Sequence, residues 1–255
     1  MDATDPASEA HATTPSAVPA QSTPRDRFLS WSVHLLTATG AVLAILALLA
    51  IMAGALDRAV IYMLIALAID SMDGTLARKV GVTIHVPQID GRRLDDIVDY
   101  LNFVIVPAVF LVQAGSVLSP WVVACPVLAS AFGFSRNDAK TEDDFFLGFP
   151  SYWNILALYL WLLDYSPLTG TIWVVGLSIA VFIPYKYIYP SKLENRFLRY
   201  SVSYLGLLWS IVLGFAVLVP DVANRYHLVG GSLAYPILYM SLSFWLGGLQ
   251  RKSQS

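Results

Sequence analysis

Charge is scarce in this chain. Only 13% of its 255 residues are Asp, Glu, Lys or Arg, while 56% are hydrophobic. A soluble domain carries about 25% charged residues, so the shortage excludes an ordinary soluble globular protein. Cysteine is nearly absent: Cys125 stands alone in an apolar segment, which excludes an intrachain disulfide and reads as a small lipid- or helix-facing residue. No Cys/His spacing suggests a structural metal, and no internal repeat is visible. The first residues are rich in Ala, Ser, Thr and Pro, without apolar periodicity and without the apolar core of a signal peptide. Residues 1–27 are therefore expected to be a disordered cytoplasmic tail, and 28–255 one membrane-embedded domain. No nucleic-acid partner is expected.

What the chain does have is a succession of apolar segments. A helix needs about 20 apolar residues to cross a bilayer core. On that ruler the spans fall at 32–54, 58–78, 94–114, 119–136, 150–164, 168–188, 200–220 and 228–249. The expected fold is all-α: a polytopic membrane helical bundle of about eight transmembrane helices. The distribution of basic residues tests the count, because cytoplasmic loops carry the excess of Lys and Arg. With the tail in the cytoplasm, that side receives every basic residue of the 16 except Arg58 and Arg225. Both termini are then cytoplasmic.

The charge that remains inside this apolar frame is concentrated between Asp70 and Asp99. Asp70 and Asp73 share one helical face, as do Asp95 and Asp99. The apolar run before Asp70, Ala59–Ile69, is 11 residues long. At 1.5 Å per residue it cannot cross a core of about 30 Å. The helix must continue through Asp70 and Asp73 to about Arg78, and the third span must likewise include Asp95 and Asp99. Carboxylates at that depth are costly unless paired. Divalent cations relieve their repulsion, and oxygen ligands suit Mg²⁺, Mn²⁺ or Ca²⁺. Four acids suggest two ions, with phosphate oxygens completing the shells. Gly74 and Ala77 remove bulk on the same face, and Arg78 can fork onto a phosphate. A glycine inside a helix costs ~1 kcal/mol relative to alanine, so Gly74 points to a steric need.

These residues, Asp70, Asp73, Gly74, Ala77, Arg78, Gly91, Asp95 and Asp99, stand in the order D-x₂-D-G-x₂-A-R…G-x₃-D-x₃-D. The stretch resembles the signature of the CDP-alcohol phosphatidyltransferases. Its spacer of twelve residues between Arg78 and Gly91 is longer than usual in that family. That spacer, Ser32–Gly40, Leu94–Tyr100 and Asp143–Asn154 together resemble the bacterial branch whose acceptor is free choline. The resemblance implies transfer of a phosphatidyl group from CDP-diacylglycerol to choline. It implies that Asp70, Asp73, Asp95 and Asp99 hold two Mn²⁺ or Mg²⁺ ions, with Asp99 also the general base. Gly74, Ala77, Arg78, Gly91 and Thr37 would cradle the CDP-lipid. In the wider family an Asn-x-x-Thr element often opens the first span; His34 and Thr37 stand in those places here. The resemblance further implies a homodimer in a bacterial inner membrane, among membrane lipids, with its active site on the cytoplasmic side.

The segment 136–146 sets Arg136 and Lys140 against Asp138, Glu142, Asp143 and Asp144, followed by aromatics. Acids with aromatic faces suit a quaternary ammonium, so Asp143, Phe145, Tyr152 and Trp153 are the expected choline contacts. The other reading of these rings is an interfacial aromatic belt. Lys186, Lys192, Arg196 and Arg199 are expected to form a basic edge for anionic headgroups. Two alternatives stay open: the same reaction with serine, inositol or glycerol phosphate, and a divalent-cation transporter.

Overall fold

A computed structural model describes residues 22–249 apart from 137, 140 and 142. Most of the expected tail lies outside these residues, but its last part is helical. Helix α1 (Pro24–Met52) opens with a capping box: Asp26 N–H donates to the Thr23 hydroxyl at 3.2 Å, and Thr23 N–H donates to the Asp26 carboxylate at 3.1 Å. Pro24 sits in the first turn, where a missing N–H costs nothing. A short turn through Gly54, φ 74°, reverses the chain into α2 (Leu56–Val80). Ala44, Ala47 and Ala50 of α1 and Ala59 and Met63 of α2 are buried in one cluster. Small side chains let two membrane helices pack closely along their length.

Gly81, in left-handed conformation at φ 72°, ends α2 and donates its N–H to the Ala77 carbonyl. The single-turn α3 (Val82–His85) follows. Asp90 then caps α4 (Gly91–Tyr100) by accepting the N–H groups of Arg92 and Arg93 at 3.1 and 3.2 Å. Helix α4 runs without a break through a π turn, Leu101–Ile105, into α5 (Val106–Gln113). Pro107 explains the wide turn. It has no N–H for the carbonyl four residues back, and Val106 N–H instead reaches Leu101 O, five back.

The remaining helices are α6 (Ala124–Ser135), α7 (Trp153–Leu162), α8 (Pro167–Ala180), α9 (Arg196–Leu218), α10 (Pro220–Arg225), α11 (Leu228–Ser232) and α12 (Ala234–Leu246). Among the described residues, four helices are long and apolar enough to cross a membrane: Pro24–Met52, Leu56–Val80, Arg196–Leu218 and Leu228–Leu246. Pro120–Ser135, Trp153–Leu162 and Pro167–Ala180 are apolar but shorter. Large apolar side chains face outward, such as Ile172 and Trp173 on α8 and Leu207, Leu208 and Ile211 on α9. Such a surface suits lipid, and the chain is an integral membrane protein of several helices.

Two expectations need correction. The fold is not purely α. Strands β1 (Phe145–Leu147), β2 (Tyr185–Ile188) and β3 (Gly248–Leu249) form an antiparallel sheet in the order β1-β2-β3, with Phe145 opposite Ile188 and Lys186 opposite Gly248. Its aromatic and β-branched side chains favour a half-buried sheet surface. Gly247 permits the close approach, since a Cβ there would lie 2.3 Å from the Lys186 carbonyl oxygen. The span expected at 168–188 also stops early, at Ala180. Pro184 cannot continue a helix, and the chain turns there into β2.

Candidate active site

Three helices meet at the acids. Both acid-bearing helices extend as the run lengths required: α2 carries Asp70, Asp73, Gly74, Ala77 and Arg78, and α4 carries Gly91, Asp95 and Asp99. Oxygens of Asp70, Asp95 and Asp99 all lie within 4.8 Å of one another, and the three residues are half-buried. Asp99 and Asp70 come within hydrogen-bonding distance. Carboxylates this close need a proton or a cation among them. The donor set is oxygen only and fits a hard divalent ion.

Asp73 stands apart from that trio. It is 5% exposed and turns toward α1, where Thr37 donates its hydroxyl to the carboxylate at 2.7 Å. Thr37, Gly40, Asp70, Asp73, Asp99 and Asn102 line one small cavity. The glycines divide in role. A Cβ at Gly74 would meet only Arg78 Nη1, at 3.5 Å, so space lies open beside it. A Cβ at Gly91 would come within 3.0 Å of His34 Cε1, so Gly91 makes room for that imidazole. His34 is buried, and its Nε2 has no hydrogen-bond partner among the described residues. Exposed Arg78 donates to Thr75 Oγ1 at 3.1 Å, in the last turns of α2.

The expected choline contacts do not form one group. Asp143 is taken by Lys186, 2.6 Å away. That hydrogen bond, with one from Thr141, holds the Asp143 carboxyl below its usual range. Lys186 Nζ also lies 5.7 Å from the Phe145 ring centroid. Trp153 is a core residue, 1% exposed, with its indole N–H donating to Ser130 Oγ at 2.7 Å and Phe149 packed edge-on against it. Tyr152 feels the Asp70 charge. Its hydroxyl is 3.2 Å from that of Tyr239, which donates to the Ile188 carbonyl at 2.9 Å.

Sequence reasoning missed Tyr189 and Asn102. The Tyr189 ring stacks on Phe146, centroids 4.6 Å apart, with Lys192 Nζ 5.5 Å from its centre. Burial pushes its phenol up, the charges of Asp95 and Asp70 add to the shift, and Arg78 opposes it. Tyr189 thus feels the charge of the acids. Lys186 and Lys192 of the expected headgroup edge are paired instead with Asp143 and Asp144. Asn102 follows Asp99 by one helical turn and is 4% exposed. A polar side chain in an apolar run was its only signal.

The chain is similar in sequence to known proteins. The sequence profile of the CDP-alcohol phosphatidyltransferases matches residues 33–183. A phosphatidylcholine synthase of Legionella pneumophila is 39% identical over 226 residues, covering 86% of this chain and 88% of that protein. A phosphatidylcholine synthase of Pseudomonas aeruginosa is 30% identical over 226 residues, covering 88% of this chain and 94% of that protein. One from Rhizobium meliloti is 32% identical over 204 residues, with coverage of 79% and 84%.

Proposed function

The chain belongs to the CDP-alcohol phosphatidyltransferase family, and on that footing we propose how its residues convert CDP-diacylglycerol and choline into phosphatidylcholine and CMP. The acceptor follows the relatives' shared name, phosphatidylcholine synthase. The observation that carries the mechanism is the meeting of Asp70, Asp95 and Asp99 from two helices within 4.8 Å.

Asp70, Asp95 and Asp99 would hold a divalent cation, Mn²⁺ or Mg²⁺, with Asp73 beside them for a second. When bound, the cation neutralises charge on the diphosphate as CMP leaves. Asp99 takes the proton of the choline hydroxyl. The freed oxygen bonds to the phosphorus that carries diacylglycerol, and the bond from that phosphorus to the CMP oxygen breaks. Arg78 forks onto the diphosphate. Gly74 and Ala77 leave the α2 face open for the nucleotide, with Thr37 and Gly91 completing the cradle. Phosphoryl transfer of this kind is mainly positioning and charge neutralisation.

Choline carries its ammonium two carbons from the reacting hydroxyl. Its contacts must therefore border the acids, which favours Tyr152 and Tyr189 over Asp143, Phe145 and Trp153. Acyl chains stay in lipid while choline and CMP exchange with the cytosol. The π-interrupted segment 91–113 and the three shorter apolar helices complete eight crossings in this reading. The distribution of basic residues supports cytoplasmic termini and a cytoplasmic site in a bacterial inner membrane. The family resemblance supports a homodimer.

The test is acceptor choice. Purified protein with CDP-diacylglycerol and Mn²⁺ or Mg²⁺ is given choline, serine, inositol or glycerol phosphate in turn. Lipid product with choline alone is expected. Product with another alcohol and none with choline would keep the family and discard the acceptor.

A further inference from the structure

Asn102 spends both hydrogens of its side-chain amide on backbone carbonyls. One goes to Gly40 O of α1 at 2.9 Å, the other to Val98 O of its own helix at 3.0 Å. The amide is thus fixed in orientation, buried, and on the wall of the cavity that holds Asp70, Asp73 and Asp99. It lies in the π turn, directly after the helix that carries Asp95 and Asp99. Single π turns inside α-helices recur at functional sites.

The partner side is equally specific. A Cβ at Gly40 would lie 2.5 Å from Val98 Cγ1, closer than any packed side chain tolerates. The missing side chain at Gly40 therefore lets α4 come near enough for Asn102 to reach the α1 carbonyl. Thr37 and Gly40 share a face of α1. Thr37 holds Asp73 of α2, and Gly40 receives Asn102 from the π turn. One turn of α1 is thereby bonded to both elements that bring acids to the site.

We infer that Asn102 is a positioning residue which, through the Gly40 carbonyl, sets the separation between Asp99 and Asp70. Asn102 touches neither substrate in this role. It acts by fixing where α4 stands against α1 and α2. The inference rests on the reading of Asp99 as general base and Asp70 as its neighbour across the site. An error of about 1 Å in such a constellation can cost 10²-fold in rate.

The test uses the full-length protein in detergent or liposomes, with choline transfer and Mn²⁺ binding measured separately. Asn102→Leu and Asn102→Asp keep the approximate shape and lose the donor. Each is expected to lower kcat by about 10–100-fold, with KM for CDP-diacylglycerol and choline moving by less than about 3-fold. Gly40→Ala is expected to do the same, because the added methyl pushes against Val98. Removing that obstacle should reverse the loss. In Gly40→Ala with Val98→Ala, the nearest remaining atoms to the new methyl are Asn102 Nδ2 at 3.4 Å and the position-98 Cβ at 4.0 Å, both ordinary contacts. The pair is expected to recover kcat, and Mn²⁺ affinity is expected to fall in Gly40→Ala and return in the pair. Val98→Ala alone should behave as wild type.

Full kcat in Asn102→Leu, or a pair no better than Gly40→Ala alone, would overturn the inference. Should Asn102→Leu fail to fold, the Gly40 and Val98 variants decide. Failure of the mechanistic reading looks different: there Asp99→Asn itself would transfer choline at the wild-type rate.

Discussion

The Thr37 hydroxyl donates to the Asp73 carboxylate across 2.7 Å, joining the first helix to the second beside the acid cluster. Thr37 thereby gives α1 a place in the site, and it separates Asp73 from the trio of Asp70, Asp95 and Asp99. A hydrogen bond to a charged group contributes about 1.5–3 kcal/mol. Thr37→Val keeps the shape and removes the donor, leaving a buried carboxylate short of a partner. It is expected to lower kcat/KM for CDP-diacylglycerol by about 10–100-fold, whereas Thr37→Ser stays near wild type. Steady-state kinetics on both variants, with a melting curve to exclude loss of fold, checks this.

The trio and Asp73 should respond differently to metal. Asp70→Asn and Asp95→Asn each remove a charged oxygen from the tight cluster. Both are expected to raise the Mn²⁺ concentration needed for half-maximal activity by at least about tenfold, the scale seen when even an outer partner of a metal site is lost. Asp73→Asn is expected to shift it less. Titrating activity against free Mn²⁺ in a chelator buffer gives the comparison. Equal shifts in all three would place Asp73 on the same footing as the others.

Trp153 and Tyr189 separate packing from choline recognition. Trp153 is buried, so Trp153→Ala should destabilise by about 3–5 kcal/mol, seen as a lower Tm and poor recovery from the membrane. Tyr189→Ala should instead raise the choline KM, while KM for CDP-diacylglycerol holds. An unchanged choline KM in Tyr189→Ala would remove Tyr189 from the acceptor site.

The ion pair of Asp143 and Lys186 predicts a small acid-side effect. Hydrogen bonding from Lys186 depresses the Asp143 carboxyl in the folded chain. A depressed folded pKa adds stability above the unfolded value and loses it as pH falls through the folded one. The side chain of Asp143 is 54% exposed, so the pair contributes about 0–1 kcal/mol and weakens with salt. Asp143→Asn is expected to leave the choline KM unchanged and to trim Tm slightly at neutral pH, with the difference fading below the usual carboxylate range.

The reach of α2 through Asp70 and of α4 through Asp95 and Asp99 was legible in the sequence. The apolar runs are too short to span unless the acids are helical, and that argument needs no tertiary knowledge. Thr37 was legible only through the family resemblance. The sheet was not, because Phe145–Leu147 and Tyr185–Ile188 read equally well as interfacial ends of helices. Asp143 and Phe145 resembled a cation site because composition showed acids beside aromatics. The structure supplies their cation from Lys186, which lies 43 residues away in the chain. Tyr189 and Asn102 escaped notice for a related reason. Their nearness to the acids depends on how the 185–195 segment and the π turn pack, and no spacing rule encodes that.

Labelled choline supplied with CDP-diacylglycerol and Mn²⁺ to the purified protein, alongside Asp99→Asn, is the most direct test. Labelled phosphatidylcholine with equimolar CMP is expected from the wild type, and neither from Asp99→Asn or from the wild type with chelator. Transfer that persists undiminished in Asp99→Asn would show that the choline proton leaves by another group, and the roles given to α4 would have to be abandoned.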